Sequence, residues 1–534
     1  MIRLDAITGS PRVARLDRLD AYFSGQQYAG LRYDWDGRFG EAADIAPGWF
    51  VPYSQRRPRL NLELARRAVT RFTAMLFGEG HFPAIVVEDD EDASDWVNEL
   101  AKEASLAVRM HEARNKGGAA GTVGMSFAFV DGLPRLEIHR AKHLWVEAWA
   151  DRAKLRPRSV LKVWRDERQV VENGKIVKRV FYTVRRWTEM VETVWEPIPE
   201  AVAKTDTWDT VIPSVTVEHG FGFCPVYLAQ NRPDSESEDG ESDYSGFDDD
   251  MDEVNRLVSA TSKGTIANVD PTLVIKADPA LNQGVLRKGT DNAIFSPGGA
   301  EYLELTGASV TTAVGLARDL VGWMDESMGL VVATPEQLSG AARSAAALRM
   351  LYAPMTAQVS ILREQYGALI VAVLTGMLRA SRLIIARPPG PVVTTADGVL
   401  VQHQPTVTLQ PRLEDGREVP RSPGTSNRIT LSWPAFFEPT PSDAGALVDS
   451  AIKAKGTLIS DRTAVRATAP LFGVTDVEEE LEAIEKENAE RQQQLGAGPD
   501  ALSIDLSAAR GDGTNAGEDR SDRVNGAVMS DDEE

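Results

Sequence analysis

The chain has 534 residues, 43% hydrophobic and 26% charged, which is a globular composition with room for about two to four packed regions. Its net charge of −21 lies mostly in two stretches: residues 234–253 hold eleven acidic and no basic side chains, and residues 496–534 carry −7. The other 475 residues carry only −3, which excludes the strongly basic surface of a tight, sequence-independent DNA-binding protein.

The cysteine count and the apolar runs bear on where the protein works. The single cysteine, Cys224, excludes an intramolecular disulfide and fits a reducing cytoplasm. Arg3, Asp5 and Arg12 interrupt the N-terminal region, so a secretory signal is not expected. The longest uncharged apolar run, 366–378, is shorter than the roughly 20 residues of a membrane span. We therefore expect a soluble protein that does not enter a membrane.

The first 230 residues are predicted to mix helices and strands. Apolar residues three and four positions apart predict a helix over 61–77 and a second over 94–118, with Ser94 as its N-cap. The segment 159–196 is rich in Val, Tyr, Phe and Trp. Within it, Asn173-Gly174 suits the two-residue turn of a β-hairpin. Further strands are expected to about Val217.

An acidic segment separates this region from the helices that follow. Residues 231–248 are polar and acidic, and we expect them to form a mobile, solvated loop. A helix over 249–267 comes next, then a short β-like region over 268–306 that prolines and glycines punctuate. A further helix runs over 313–329 and ends at Gly329, a C′ glycine.

The remainder of the chain begins with a loop over 330–340 that contains Pro335. A very long helix over 341–386 is expected to kink at Pro354, because proline cannot donate the helical hydrogen bond. The other predicted parts are Pro-rich loops with one strand over 387–440, a helix over 442–455 with Ser442 as N-cap, a helix over 474–495, and disorder beyond Gly496. The predicted fold class is α+β.

Two patterns resemble catalytic or binding motifs but have plainer explanations. His139 and His143 have the spacing of a helical metal pair, yet residues 136–139 are predicted to form a strand, and a third ligand is not evident. The glycines of 116–121 resemble a phosphate-binding loop, but Lys116 precedes them, whereas a P-loop lysine follows. We expect surface or half-buried histidines and a tight helix-to-strand turn.

The acidic run 248–253 could in principle hold Ca²⁺ or Mg²⁺. Asp234, Glu236 and Glu238 alternate as EF-hand ligands do, but Gly240 lies one place too late for the central glycine. Negative charge is also favourable at a helix N-terminus, which explains the run without a metal. Because the sequence lacks an evident nucleophile–base set as well, we expect no enzyme activity, no cofactor and no metal site.

Two stretches in the first 342 residues are shared with a known class of proteins. Residues 21–27, Ala-Tyr-Phe-Ser-Gly-Gln-Gln, match an aromatic-Gly-Gln segment, and the helix over 61–77 follows it as in that class. Ser-Gly-Ala-Ala at 339–342 opens the long predicted helix and matches a Ser-Gly-x-Ala stretch. The order of these stretches is as informative as their residues.

The C-terminal part carries the most specific succession. Pro-Ser-Asp at 441–443 precedes a helix, Gly-Thr-Leu-Ile-Ser-Asp-Arg-Thr follows at 456–463, and an acidic helix begins near 477. With the preceding stretches, this order resembles the portal proteins of long-tailed, siphophage-type bacteriophages, over nearly the whole chain to about residue 495. Here the acidic insert 234–248 is unusually long for the family, so the start of the first stem helix is left open.

The resemblance implies the α+β portal architecture of wing, stem, clip and crown, with long helices and a β-containing wing and clip. Carried onto this sequence, the parts are the wing (1–240 and 387–440), an acidic lead-in with the first stem helix (241–267), the clip (268–308), the second stem helix (309–329), the tunnel loop (330–340), the long kinked helix (341–386), the crown (441–495) and a disordered acidic tail (496–534).

The tunnel loop is the segment that the resemblance implies would line the DNA channel. It contains one formal charge, Glu336, and no lysine or arginine, so a ring of such loops would guide DNA without binding its phosphates. The residues assigned to it are Val331, Val332, Ala333, Thr334, Pro335, Glu336, Gln337, Leu338 and Ser339.

The partners also follow from the resemblance. A portal subunit assembles into a homo-oligomeric ring, twelvefold in the virion, at one capsid vertex. The ring is the channel for packaging and ejecting double-stranded viral DNA. It contacts the terminase, the major capsid or scaffold protein, and a head-completion or adaptor protein. The implied location is the virion, after assembly in the cytoplasm of the bacterial host.

Two other classes remain as alternatives. A terminase-like enzyme needs a P-loop and a cluster of nuclease carboxylates, and both are missing from the sequence. A minor head or scaffold-type interaction protein without a DNA channel shares the acidic tail and the lack of catalytic motifs. That class, however, does not predict two helices that bracket a short β region.

Overall fold

The computed structural model comprises two units, Met1–Thr440 and Pro441–Glu534, each described by itself. The residues described are 3–35, 51–172, 175–269, 272–275, 300–303, 308–333, 345–386, 393–395, 399–403, 407–414, 417–437 and 441–454, with isolated positions between 463 and 486.

The first unit mixes helices and strands, which confirms the α+β class. Its helices are α1 Leu4–Thr8, α2 Pro11–Ser24, α3 Leu64–Phe77, α4 Glu91–Glu103, α5 Leu106–Ala120, α6 Glu200–Ala203, α7 Asp248–Val269, α8 Ala308–Met328, α9 Ala345–Leu351 and α10 Ala353–Ile385. Its strands are β1 Ala84–Val87, β2 Thr122–Val130, β3 Leu133–Arg140, β4 Leu144–Asp151, β5 Arg156–Glu172, β6 Lys175–Trp187, β7 Val191–Val194, β8 Ile198–Pro199, β9 Val215–Glu218, β10 Val226–Gln230, β11 Thr272–Ile275, β12 Ala300–Leu303, β13 Val393–Thr394, β14 Leu400–His403, β15 Arg412–Glu414, β16 Arg417–Val419 and β17 Ile429–Ser432.

Helix α10 lies in the main hydrophobic core. It packs against α3, α4 and α5 and against the antiparallel sheet β10–β2–β3, and its Tyr366, Ile370 and Leu374 are fully buried. Among the described helices, α10 alone is long and apolar enough to cross a membrane. More than half of its most apolar stretch is buried, and the core helix of a soluble protein meets the same criteria.

The predicted hairpin is the centre of an eight-stranded sheet, ordered β13-β14-β9-β7-β6-β5-β4 with β8 paired to β6. Strands β5 and β6 are antiparallel, and Glu172 pairs with Lys175, which confirms a two-residue connection at 173–174. Those two residues themselves lie outside the described residues. At the other end of the hairpin, Leu161 and Tyr182 are buried in a second core.

The helix predicted from Ser94 is two helices, α4 and α5. Asp90, not Ser94, is the N-cap, and its carboxylate accepts the N–H of Ala93 at 2.9 Å and that of Thr425 at 2.6 Å. Ser105, at φ +52°, separates the two helices. The sequence pattern missed the break because the apolar spacing continues across it.

The kink predicted at Pro354 is a break between α9 and α10. Tyr352 lies between the two helices, and Pro354 occupies the first turn of α10, where a missing N–H leaves no helical hydrogen bond unmade. The second predicted feature of this region, a strand near residue 430, is confirmed as β17. It pairs antiparallel with β1, Leu431 opposite Ile85.

Composition predicts a solvated loop over 231–248, but part of the segment 231–247, here called the acidic strap, is buried. The Asp239 side chain is buried; its carboxylate accepts hydrogen bonds from Arg12 at 2.8 and 2.7 Å and from Arg15 at 3.3 Å. Helix α2 therefore supplies the positive charges that hold the middle of the strap. Composition alone could not show this, because the cations are more than 200 residues away in sequence.

A second ion pair fastens the strap to α5 inside the protein. Arg114 and Asp243 are fully buried, and Nη2 donates to both carboxylate oxygens, at 3.0 and 2.9 Å. Asn231 donates to the same carboxylate at 2.9 Å, and the Tyr366 hydroxyl bonds to the Asn231 side-chain oxygen at 3.2 Å. The strap is thus part of the main core.

The glycines that resemble a phosphate-binding loop allow this close packing. Residues 116–120 are helical, so the predicted tight turn is confined to Gly121, at φ +82°. A Cβ at Gly117 would overlap the Tyr366 hydroxyl, and one at Gly121 would overlap the backbone carbonyl of Gly240 in the strap. Side chains at these positions would therefore push α10 and the strap away from α5.

The second unit contains α11, Pro441–Ala454, which begins one residue before the predicted N-cap Ser442. The helix predicted over 474–495 lies outside the described residues except at isolated positions. The tail 496–534, predicted to be disordered, lies wholly outside them.

Candidate subunit-contact and channel site

Helices α7 and α8 form an antiparallel pair. Met251 near the start of α7 and Met324 and Met328 near the end of α8 are buried in the main core. At the opposite ends, a Cβ added at Gly264 would lie 3.7 Å from Val310 Cγ2, so the two helices are close there as well. Both predicted helices are confirmed, with α8 beginning at Ala308 rather than at residue 313.

A short β ribbon accompanies the pair, as predicted for this region. Strands β11 and β12 are antiparallel, with Thr272 opposite Leu303 and Ile275 opposite Ala300. They follow α7 and precede α8 in the chain, while residues 276–299 lie outside the described residues. The described order is therefore helix, strand, strand, helix.

A hydrogen-bond network fixes the base of α7. Buried Asn255 accepts the Leu62 N–H at 3.0 Å and donates to the Tyr28 oxygen at 3.0 Å, and the Tyr28 hydroxyl donates to Asp252 at 2.7 Å. Burial raises the pKa of Tyr28, so this donor stays protonated. Ser259 accepts the Leu60 N–H at 3.0 Å. These hydrogen bonds attach the start of α7 to Tyr28, Leu60 and Leu62 and so fix the orientation of the helix.

The segment 21–27, on which part of the family resemblance depends, supports this network. Gly25 ends α2 at φ +72°, a conformation that favours glycine. The Gln27 side-chain nitrogen then donates to Asn61 Oδ1 at 3.2 Å, and Asn61 Nδ2 donates to the Gly25 carbonyl at 3.3 Å. The described geometry gives this stretch a positioning role.

We expect Asn255→Ala to lower the free energy of unfolding by about 1–3 kcal/mol, because it removes the acceptor of the Leu62 N–H and the buried donor to the Tyr28 oxygen. The matched control is Thr265→Ala on the same helix, an exposed residue whose hydroxyl donates only to its own helix. That change should shift the value by less than about 0.5 kcal/mol. Urea unfolding measures both, and equal losses would contradict the network's role.

Helix α8 is held to α3 by an ion pair. Arg67 donates to Asp325 at 2.6 Å, at the base of the pair. Burial raises the pKa of Asp325, and the Arg67 guanidinium opposes that shift. The pair therefore keeps a partly desolvated carboxylate compensated where α8 meets the body.

Two large apolar side chains of α8 are exposed. Trp323 is 60% exposed and Leu316 is 46% exposed, and Ile266 near the end of α7 is 48% exposed. Apolar side chains of this size on paired helices are typical of a surface that another protein covers. The sequence signal was a spacing of seven residues between Leu316 and Trp323, which marks a second apolar face.

The predicted tunnel loop begins against the body. Gly329, at φ +72°, ends α8, and the Leu330 N–H donates to the Asp325 carbonyl at 2.7 Å, as in a Schellman motif. Leu330 is buried, Val331 packs against the main core, and Val332 is exposed. The start of the tunnel loop is therefore held against the main core at Leu330 and Val331, and the chain reaches the surface at Val332.

Most of the other residues assigned to the tunnel loop lie outside the described residues. Ala333 is half-buried, whereas Thr334, Pro335, Glu336, Gln337, Leu338 and Ser339 lie outside the described residues. Their role in a channel stays a prediction.

The candidate histidines do not converge on a site. His139 is buried in β3 with Nε2 2.7 Å from Ser126 Oγ, and burial lowers its pKa to about 3. His143 lies beside the Trp164 ring, and burial lowers its pKa to about 4. Both imidazoles are therefore neutral at pH 7, and each packs within the fold rather than facing a shared site.

The acidic run 248–253 is placed at the N-terminus of α7, as predicted. Asp248, Asp249 and Asp250 form its first turn, where negative charge is favourable, and Arg18 forms an ion pair with Asp248. Within the described part of the chain, His, Cys, Asp and Glu side chains do not gather in threes that could hold a metal ion.

The sequence was also compared with known proteins. No protein-family model matches it, and a search of curated proteins finds no match. A functional assignment therefore depends on the paired helices, on their apolar surface and on the segments that resemble portal proteins.

Proposed function

We propose that this protein is the portal subunit of a long-tailed bacteriophage, a structural protein with no catalytic role. Copies of it would form a ring at one capsid vertex, through which double-stranded DNA is packaged and ejected. The observation that carries the proposal is the α7–α8 pair: two antiparallel helices with a short β ribbon between them in the chain, anchored at one end and with Leu316 and Trp323 exposed on α8.

In this proposal α7 and α8 are the stem, the region 268–308 between them is the clip, and residues 330–340 are the tunnel loop. The wing comprises 1–240 and 387–440, to which the eight-stranded sheet belongs, and the crown comprises 441–495. The acidic lead-in and the first stem helix comprise 241–267, and within the lead-in the buried Asp243 is held by Arg114.

The exposed apolar residues give the proposal its physical reason. Trp323 and Leu316 leave water only if another surface covers them, and burying a large apolar side chain stabilises by about 1.5–3 kcal/mol. A ring provides that cover in every subunit at once. A channel subunit also benefits from a nearly balanced body, since basic side chains would bind DNA phosphates and oppose sliding.

The partners proposed for the ring are the terminase during packaging, the capsid or scaffold protein around the vertex, and head-completion proteins afterwards. They are proposed from the family resemblance rather than from a described surface.

Electron microscopy of the purified protein tests the proposal. We expect negative-stain images to show rings with a central hole, and light scattering at micromolar concentration to give a mass of many subunits. A minor head or scaffold-type protein would give particles without a hole. A strict monomer at every salt and protein concentration would contradict the proposal, because the apolar faces of α8 would then need no partner.

A further inference from the structure

A groove runs along the side of α8 opposite its exposed face. It has a volume of about 400 Å³ and lies between α3, α7 and α8. Its floor and walls are mostly apolar, with arginine at two places. The lining residues are Leu62, Leu64, Arg67, Val258, Thr261, Val314, Ala317, Arg318 and Val321.

The exposed residues of α8 point the other way. Successive residues of an α-helix are about 100° apart, so Leu316 and Trp323 share one face. Val314 and Val321, which line the groove, lie about half a turn from that face. The helix thus has a protruding apolar face on one side and a receiving groove on the other.

The charges on the two sides are opposite. Exposed Arg318 lies at the groove, whereas exposed Asp319 and Glu326 flank Trp323 on the other side of the helix. Two copies that met through their Trp323 faces would bring four acidic side chains together. Two copies that met face to groove would bring Asp319 and Glu326 towards Arg318.

We infer that Trp323 of one copy inserts into the α3–α7–α8 groove of the next copy, a head-to-tail contact that repeats around the assembly. The inference rests on the proposed function, which supplies neighbouring copies in a closed ring. A tryptophan side chain buries roughly 150–250 Å² when it is covered, so inserting Trp323 into a mostly apolar groove would remove a large exposed apolar surface from water. A head-to-tail contact closes into a ring or continues as an open filament.

Disulfide cross-linking of the full chain tests this contact. In the double variant Trp323→Cys with Thr261→Cys, one cysteine lies on the protruding face and the other in the groove. Oxidation should give a ladder of covalent oligomers on a non-reducing gel. Disulfides require Cα atoms within about 7 Å, so the ladder reports direct proximity. Buried Cys224 is common to all variants and to the wild-type control.

The matched control pairs Trp323→Cys with Thr265→Cys, an exposed position on the same helix α7 that does not line the groove. We expect about tenfold less ladder from it. A second groove position, Val314→Cys with Trp323→Cys, guards against one unfavourable geometry and should also give the ladder. The single variant Trp323→Cys should give no ladder, and strong dimer formation by it would indicate a face-to-face contact instead.

Charge reversal gives an independent measure of the same contact. Arg318→Glu alone, and Asp319→Arg with Glu326→Arg, should each lower the cross-linking yield roughly fivefold by placing like charges together. The three changes combined should restore the yield, because the complementarity is only inverted. Failure of the combined variant to recover, with correctly folded protein by circular dichroism, would count against the contact.

The outcomes separate this inference from the proposed function. Rings without ladders from either groove position overturn the inference and leave the portal proposal standing. Ladders from open filaments, without rings, support the contact and overturn the portal proposal. A monomer without ladders overturns both.

Discussion

Replacing Arg114 with alanine is expected to lower the free energy of unfolding by about 3–5 kcal/mol. The guanidinium and the Asp243 carboxylate are both fully buried, so the change leaves a buried carboxylate without its cation. Asn231 still donates to that carboxylate, but it brings no charge. Since the stability of a domain is often about 5–15 kcal/mol, the variant should unfold at clearly lower urea concentration.

The matched control is Arg109→Ala on the same helix α5. Arg109 pairs with Glu112 at 3.1 Å, but both side chains are substantially exposed, and such a pair contributes about 0–1 kcal/mol. A double variant, Arg114→Met with Asp243→Leu, removes both buried charges and should recover much of the loss. If Arg114→Ala costs no more than Arg109→Ala, the acidic strap is not held by this ion pair.

Gly121→Ala is expected to have the second largest effect, for a steric reason. A Cβ there would overlap the backbone carbonyl of Gly240, which cannot move without displacing the strap. Overpacking of this kind costs about 1–3 kcal/mol, and the positive φ of +82° adds about 1 kcal/mol more. We therefore expect a lower melting temperature and exposure of the strap to limited proteolysis.

Gly80→Ala separates the two contributions. Gly80 has a similar backbone conformation, φ +74°, but a Cβ there would meet nothing within 4 Å. Its substitution should cost only the backbone part, about 1 kcal/mol. Equal melting temperatures for the two variants would mean that the strap does not approach α5 as closely as described.

Arg114→Ala and Gly121→Ala both disturb the acidic strap, and this bears on the proposed function. The acidic strap leads directly into α7, whose base is fixed by Asn255. A loosened strap should therefore weaken the orientation of the paired helices as well as the core. If the protein forms rings, Arg114→Ala should reduce ring formation more than Arg109→Ala does.

The sequence alone determined the elements whose signals are local. The hairpin turn at 173–174, the helices α7 and α8, the glycine end of α8 at Gly329 and the strand near residue 430 follow from residue periodicity and from turn chemistry within a few residues. These interactions form between near neighbours in the chain, so nearby residues are enough to predict them.

Tertiary structure alone decided the features that depend on distant partners. Composition assigned residues 231–248 to solvent, because eleven acidic side chains lie between 234 and 253, yet Arg12 and Arg114 neutralise the buried side chains of Asp239 and Asp243. Asp90 could not be recognised as an N-cap that also holds Thr425. The energy of a buried charge depends on what surrounds it in space, and the order of residues does not contain that information.

The candidate site divides in the same way. The seven-residue spacing of Leu316 and Trp323 is present in the sequence and marks one face of α8. That this face is exposed, and that the opposite face lines a groove with α3 and α7, follows only from how the three helices pack. An apolar stripe has the same appearance in sequence whether the same chain covers it or it is left exposed to contact another chain, because burial is a property of the packed helices.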